Sequence, residues 1–375
     1  MKLIIASTLV AMTSVTGACV SFGGHKPASA VTPDQRLAIL RRSQVWTPTR
    51  VAAMNVAAGP QGPGSFTRDQ NVTCNWVERK LTGNSPKFAC VIEGSNNDEV
   101  KVKFGVTNGE VYSEVAATRL FWALGFGSDR MYPVRVICHG CPADFDVPGE
   151  KPVAERVFDP AVIERKSPGW EVLSKANEGW SWKELDLVSA EAGGAPIAHR
   201  DALKLLAVMV QHGDSKAEQQ RLVCLDSGPA PDAGSERAVC GKPFMLINDL
   251  GLTFGRADFI NRNSEAGLNL ARWMRTPVWK GDVGCVGNLS KTLTGSLGDP
   301  VISEEGRAFL SGLLMQLTDS QLQALFETAR VTMRPSAPER AESAGTTIEQ
   351  WVAAFKQKRL EINSRHCPRT PPGIV

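Results

Sequence analysis

An excess of one charge sign is missing from this sequence: 42 Lys and Arg stand against 39 Asp and Glu, a formal net charge of +3. A surplus that small gives no grip on a polyanion, so nucleic acid is set aside as a partner. Histidine is scarce, with five in 375 residues. A zinc site at Cys138-His139-Gly140-Cys141 would need further ligands from that small stock. The same motif is not a haem attachment, because Pro142 stands where a His must follow the second Cys. Beyond the N-terminus no apolar run approaches the ~20 residues that span a bilayer. No internal repeat is present, and no low-complexity block follows the first 35 residues, so repeat architectures are excluded.

What is present fits an exported globular protein. Hydrophobic content is 42% and charged content 22%, ordinary for a folded domain, and the length is ample for two lobes or two domains. Met1-Lys2 followed by the apolar run Leu3 to Met12 reads as a secretory signal peptide. Two cleavage sites compete. Thr16-Gly17-Ala18-Cys19 resembles a bacterial lipobox, which would make residues 1–18 the signal peptide and Cys19 a lipid anchor. Ala28-Ser29-Ala30 suits signal peptidase I but lies far from the apolar run, so the lipobox is preferred. The expected location is the periplasm or outer membrane, or the medium, with any membrane contact through Cys19 alone. Eight cysteines remain after Cys19, an even number that suggests disulfides in an exported chain. The sequence does not fix their connectivity. Sequential pairing (74–90, 138–141, 224–240, 285–367) is the economical choice, since the first and third pairs would each close a hairpin-sized loop.

Residues 19–70 read as a Gly/Pro/Ser-containing tether and N-terminal extension with one short helix over Gln35–Ser43. Residues 71–160 read as a small β-rich unit. Strands are predicted at Val72–Glu78, Lys87–Ile92 and Val100–Phe104, joined by turns at Thr82-Gly83-Asn84-Ser85-Pro86 and Gly94–Asp98. Three consecutive strands with short turns make an antiparallel meander. A helix over Glu110–Leu124 follows and is stopped by Gly125 and Gly127. Strands are predicted again at Arg130–Cys138 and Val153–Phe158. Residues 161–375 read as mainly helical, with helices at Ala198–Gln211, Glu265–Met274, Ser303–Leu317, Asp319–Thr332 and Ser343–Arg359. The fold class is α+β.

Two acidic signals carry the chemistry. Gln211-His212-Gly213-Asp214-Ser215-Lys216-Ala217-Glu218-Gln219 follows an apolar helix, and Asn248-Asp249-Leu250-Gly251 follows a short apolar strand. An Asp on a loop after a helix, then Asp-x-Gly after a strand, is how phosphoryl-transfer enzymes hold a base and a metal. The first segment resembles the catalytic loop of the protein-kinase-like superfamily, including its aminoglycoside phosphotransferases, and the second resembles that family's Asp-Phe-Gly. Val100-Lys101-Val102-Lys103 on the third strand is similar to the family's Val-Ala-Ile-Lys. The resemblance spans residues 70–260 in element order and implies a two-lobed fold, a small antiparallel β lobe with one helix over a larger helical lobe. It further implies ATP or another nucleotide with Mg²⁺ or Mn²⁺, and a hydroxyl acceptor. By the same resemblance Asp214 is the base and Lys216 contacts phosphate. Asp249 and Gln219 hold the metal, and Lys103, paired with Glu114 or with Glu110 one turn earlier, grips the phosphates. Gly83, Asn84 and Ser85 would cradle phosphate through backbone N–H groups. Gln219 departs from the usual Asn but still offers a carbonyl oxygen to a hard cation, and Gln220 competes for that place. The secretory-pathway protein kinases are the nearest analogy, combining disulfides with altered metal ligands.

Two other functions stay open at this point. Gln219 and the single glycine of the 82–86 turn also fit an inactive, pseudokinase-type envelope protein that binds or scaffolds without turnover. Cys138 and Cys141 would support thiol–disulfide exchange if their thiols were reactive. His199-Arg200-Asp201 spells the kinase triplet, but it starts a helix and is read as a cap.

Overall fold

The computed structural model describes residues 29–145, 147, 149–173, 178–226, 240–257, 267–334 and 346–368. The expected signal peptide, Cys19 and the starts of the helices predicted from Glu265 and Ser343 lie outside them. The architecture is mixed α/β. Alternating sequence builds the first sheet: in β4 (Glu99–Phe104) Val100 and Val102 turn into an apolar core, and Lys101 and Lys103 share the opposite face. β2 (Asn71–Val77) pairs antiparallel with β3 (Lys87–Ile92), and β3 with β4. β4 then pairs with β6 (Glu155–Arg165), and β6 with β5 (Arg130–His139).

The expectation of a small antiparallel β lobe is corrected at one pairing. β5 also pairs parallel with β2, Asn71 to Asn75 lying beside Arg135 to His139, and this closes a five-stranded barrel in the order β2-β3-β4-β6-β5. Closure has a physical reason: α2 (Glu110–Leu124) carries the chain from β4 to the opposite edge, where β5 covers the polar edge that β2 would otherwise expose. α2 is buried almost all round. It ends at Gly125 in the left-handed conformation, φ 87°, against Thr47 and Trp46, where a Cβ would collide.

β6 runs through residue 160. A second sheet follows, β1 (Ser29–Ala30), β7 (Trp170–Leu173), β8 (Gln220–Cys224) and β9 (Pro243–Ile247), in that order. Its short strands β8 and β9 are fully buried, so no alternation marks them in the sequence. Helices complete this half. α3 (Ile197–Met209) packs on α5 (Glu304–Leu314). Around them lie α1 (Pro33–Arg41), α4 (Leu270–Arg275), α6 (Asp319–Thr328) and α7 (Ile348–Ser364). Phe254, Trp273, Phe326 and Trp351 fill the space between the last of these.

The four disulfides are Cys74–Cys90, Cys138–Cys141, Cys224–Cys240 and Cys285–Cys367, the sequential pairing. Among the described residues no helix is long and apolar enough to cross a membrane. Asp201 does not cap its own helix: it lies one turn inside α3 and accepts the backbone N–H of Ser303 (2.9 Å), fastening the start of α5.

Candidate functional site

A cleft of about 980 Å³ opens between the barrel and the second sheet. Lys103, Asp214, Lys216, Gln219 and Asp249 line it, as do Gly83, Asn84 and Ser85 of the 82–86 turn. Glu114 stands behind Lys103, fully buried.

Each part is held by its own local logic. After α3 the chain reverses at Gln211, φ 56°, whose amide donates to Val208 O (3.1 Å) and Asn288 O (2.8 Å). His212 N–H returns to Ala207 O (2.9 Å), and Gly213 N–H donates to Leu252 O (2.9 Å). Ser215 is clamped by Ser296 and Leu297. Asp214 is therefore presented by a loop fixed at both ends. Gln219 Nε2 donates to Asp214 Oδ2 (2.8 Å), and Lys216 Nζ lies 3.1 Å from the same oxygen. Gln220, the competitor for Gln219's place, is buried beneath the loop beside Trp182 and turned away from the cleft.

Asp249 sits where β9 runs out. The backbone N–H of Asn248 donates to Gln219 O (2.9 Å), tying the two acidic segments together. Asp249 Oδ1 accepts from Gly251 N (2.9 Å), a local Asx-type turn. Gly251 is required by close approach: a Cβ there would lie 2.7 Å from Glu110 Cγ. Ser113 on α2 also donates to Gly251 O. Helix α2 is thus docked onto the Asp249 turn.

Lys103 is the electrostatic centre. Its Nζ lies 2.7 Å from Glu114 Oε2, 3.0 Å from Glu110 Oε2 and 3.7 Å from Asp249 Oδ2. Both glutamates weighed from the sequence take part. Burial disfavours the Lys103 charge, but Asp249, Glu110 and Glu114 outweigh it and hold its pKa well above the ordinary value. Burial raises the Glu114 carboxyl well above the usual range although Lys103 pulls it down. These directions are compatible, because one ammonium cannot fully compensate three carboxylates and the most buried of them bears the cost. For Asp249 burial pushes upward, but Lys103, Lys101 and the Gly251 N–H prevail and set it at about 2. His212 is buried, makes no hydrogen bond through either ring nitrogen among the described residues, and is lowered to about 4 by burial against the pull of Asp214 and Asp249.

Several cleft residues lay outside the sequence reading. Lys87 is the direct cross-strand partner of Lys103, so Lys87, Lys101 and Lys103 share one face of the barrel wall. Lys101 is ion-paired to its own cross-strand partner Glu164. Arg221 on β8 is ion-paired to Asp129, whose Oδ1 also accepts Ser167 N (2.8 Å). Burial raises Asp129 to about 6, with Arg221 opposing. Asn248 Oδ1 is buried in the cleft wall without a hydrogen-bond partner among the described residues. A carboxylate at Asp249 with amide oxygens at Gln219 and Asn248 forms a hard-oxygen set of the kind Mg²⁺ and Mn²⁺ take, so these residues fit such an ion. The alternation Val100-Lys101-Val102-Lys103 signalled the shared lysine face; nothing local signalled Asp129 with Arg221.

No family model and no curated protein matches the chain. Among solved structures it is similar to the Helicobacter pylori proinflammatory kinase CtkA, at 12% identity over 77% of this chain and 94% of that chain, with a TM-score of 0.37. It is also similar to a chain of the Shewanella oneidensis MR-1 HipA, HipB and operator DNA complex, at 12% identity over 76% and 67%, with a TM-score of 0.32. The Golgi casein kinase with Mn/ADP bound matches at 12% identity over 79% and 73%, with a TM-score of 0.29.

Proposed function

We propose that this is an exported phosphotransferase with a two-lobed, protein-kinase-like organisation, acting on a phosphoanhydride bound in the cleft. The observation that carries the reading is the meeting of Lys103 with Glu114 (2.7 Å) and Asp249 (3.7 Å) on the wall of the cleft that Asp214 also lines. Four residues from four separate stretches of chain come together in the pattern that phosphoryl transfer uses to position phosphate, metal and base. Asp214 takes the proton of the acceptor hydroxyl as the new O–P bond forms. The anhydride P–O bond breaks, and the shortened phosphate chain leaves. Lys103 and Lys216 hold phosphate oxygens as point charges. Asp249 and Gln219, with Asn248, would hold Mg²⁺ or Mn²⁺, which neutralises phosphate charge when bound. ATP is the donor implied by the sequence. Four disulfides suit an oxidising compartment.

The test is thermal melting of the full chain with ATP and Mn²⁺, combined with phosphate release. A ligand at a hundred times its Kd stabilises by ~2.7 kcal/mol, and wild type should show that shift while Asp249→Asn does not. Asp214→Asn should keep the shift and lose phosphate release. No shift in wild type with any phosphoanhydride or divalent cation would sink the reading.

A second reading is favoured by one observation. Gln219 Nε2 and Lys216 Nζ both occupy Asp214 Oδ2, at 2.8 and 3.1 Å, which suits a protein that binds the anhydride without transferring it. In that case wild type shifts but releases no phosphate. The thiol-redox alternative loses support, because Cys138 and Cys141 are bridged and fully buried, whereas a cycling pair needs access.

A further inference from the structure

Among the described residues the cleft has anion-binding parts and few apolar side chains. A purine or pyrimidine buries two apolar faces, and sites that take one offer apolar walls on both sides. Among the described residues the apolar lining side chains are Pro86, Leu252 and Leu293, and Leu293 is 70% exposed. Where the barrel meets the second sheet, the walls are two ion pairs instead. Lys101 with Glu164 projects from the barrel, and Arg221 with Asp129 closes the sheet side. Asp129 is held in addition by Ser167 N (2.8 Å) on the connection between the two sheets. Both pairs are internally satisfied. A base entering between them would have to break charge–charge contacts and leave buried charges unpaired, and it offers nothing of equal strength in return.

The phosphate side is equipped differently. Lys103 and Lys101 are each held by carboxylates, but Lys87 between them and the 82–86 turn is not. Its ammonium reaches only Ser85 Oγ (3.4 Å), and no ion pair holds it among the described residues. It packs so close to the turn that a Cβ on Gly83 would lie 2.7 Å from its Nζ. Burial, then the neighbouring Lys103, lowers its pKa, and an anion seated there would relieve that crowding of cations. Lys87 on one side and the oxygen set at Asp249 and Asn248 on the other suit a linear phosphate chain with its divalent cation.

Building on the phosphoanhydride reading above, we propose that this cleft recognises the phosphate chain alone. Its natural ligand is then an inorganic polyphosphate, with Lys87 as a phosphate-binding residue and the Lys101–Glu164 and Arg221–Asp129 pairs excluding a base.

The experiment is isothermal titration of the full chain, in Mn²⁺, with tripolyphosphate, ATP, GTP, CTP and adenosine. The expected result is a Kd for tripolyphosphate at or below those of the three nucleotides, which agree within about threefold of one another. Adenosine should give no heat of binding. Lys87→Ala should weaken tripolyphosphate by about tenfold or more, as loss of a direct charged contact does, with an unchanged circular dichroism spectrum. ATP binding about tenfold tighter than tripolyphosphate, or a similar spread among nucleotides, would overturn the proposal while leaving the phosphoanhydride reading intact. Binding by none of the phosphoanhydrides would overturn both. Unaltered tripolyphosphate affinity in folded Lys87→Ala would remove Lys87 from the site.

Discussion

One ammonium, that of Lys103, faces Glu114, Glu110 and Asp249, and removing it leaves the three carboxylates in different situations. Glu114 has no water to turn to, since its side chain is fully buried. Lys103→Met should therefore destabilise the fold by ~3–5 kcal/mol, the usual result of stripping one partner from a buried pair. Glu110 retains some exposure, and Glu110→Gln should cost ~1 kcal/mol or less. Urea denaturation at neutral pH separates the two, and equal losses would mean that Glu114 is not what depends on Lys103. His212 makes a second prediction. Its pKa is about 4 in the fold and ~6.5 in an unfolded chain, so between these values the unfolded state binds the extra proton. Stability contributed by this group is complete above pH ~6.5 and falls as the pH drops toward ~4, by ~3 kcal/mol in all. His212→Leu should flatten the decline in melting temperature over that range, and an unchanged slope would assign the acid sensitivity elsewhere. The acidic residues were legible because each lies in a short motif whose spacing survives in the sequence. Lys87 was not, because its place beside Lys103 depends on the strand register Lys87↔Lys103, which no local pattern reveals.

Helix α2 links barrel to site through one small residue. Glu110 and Ser113 rest on Gly251, and Glu114 on the same helix reaches Lys103. Gly251→Ala would push a methyl group into Glu110 Cγ, and overpacking of this kind costs ~1–3 kcal/mol. The loss should come with a weaker thermal response to tripolyphosphate and Mn²⁺, because the displaced helix carries the partners of Lys103. A variant that melts early but binds normally would show that the docking serves stability alone. α2 itself was readable to the residue, since its apolar run is closed by Gly125 in a conformation that favours glycine. The strands of the barrel were readable too, through alternation and turns. Barrel closure was not, because a parallel contact between β2 and β5 joins segments some sixty residues apart. Of the second sheet only the short strand before Asn248 was readable, because five-residue strands buried on both faces carry no period to detect.

At the scale of the whole molecule the cleft lies between the barrel and the second sheet, and Arg221 with Asp129 is a buried pair that spans them. Arg221 belongs to β8 of the second sheet, while Asp129 immediately precedes β5 of the barrel and is bonded to Ser167 on the connection to β7. Breaking the pair from either end leaves a charge in a dry joint, so Asp129→Asn and Arg221→Met should each cost ~3–5 kcal/mol. Replacing both together, Asp129→Leu with Arg221→Met, removes the stranded charge. The double variant should be less destabilised than the sum of the singles by ~1–3 kcal/mol, the coupling expected of residues in direct contact. The same variants report on cooperativity through amide hydrogen exchange, read separately in β4 of the barrel and in α3 of the other half. In wild type the protection of the two sets of amides should be lost in one transition. In the single variants they should separate, the half that loses its anchor melting first. Additive losses with coincident transitions would show that the two halves are joined by apolar packing of α2 rather than by this pair. The cleft would then owe its shape to the helix and not to the charges lining it.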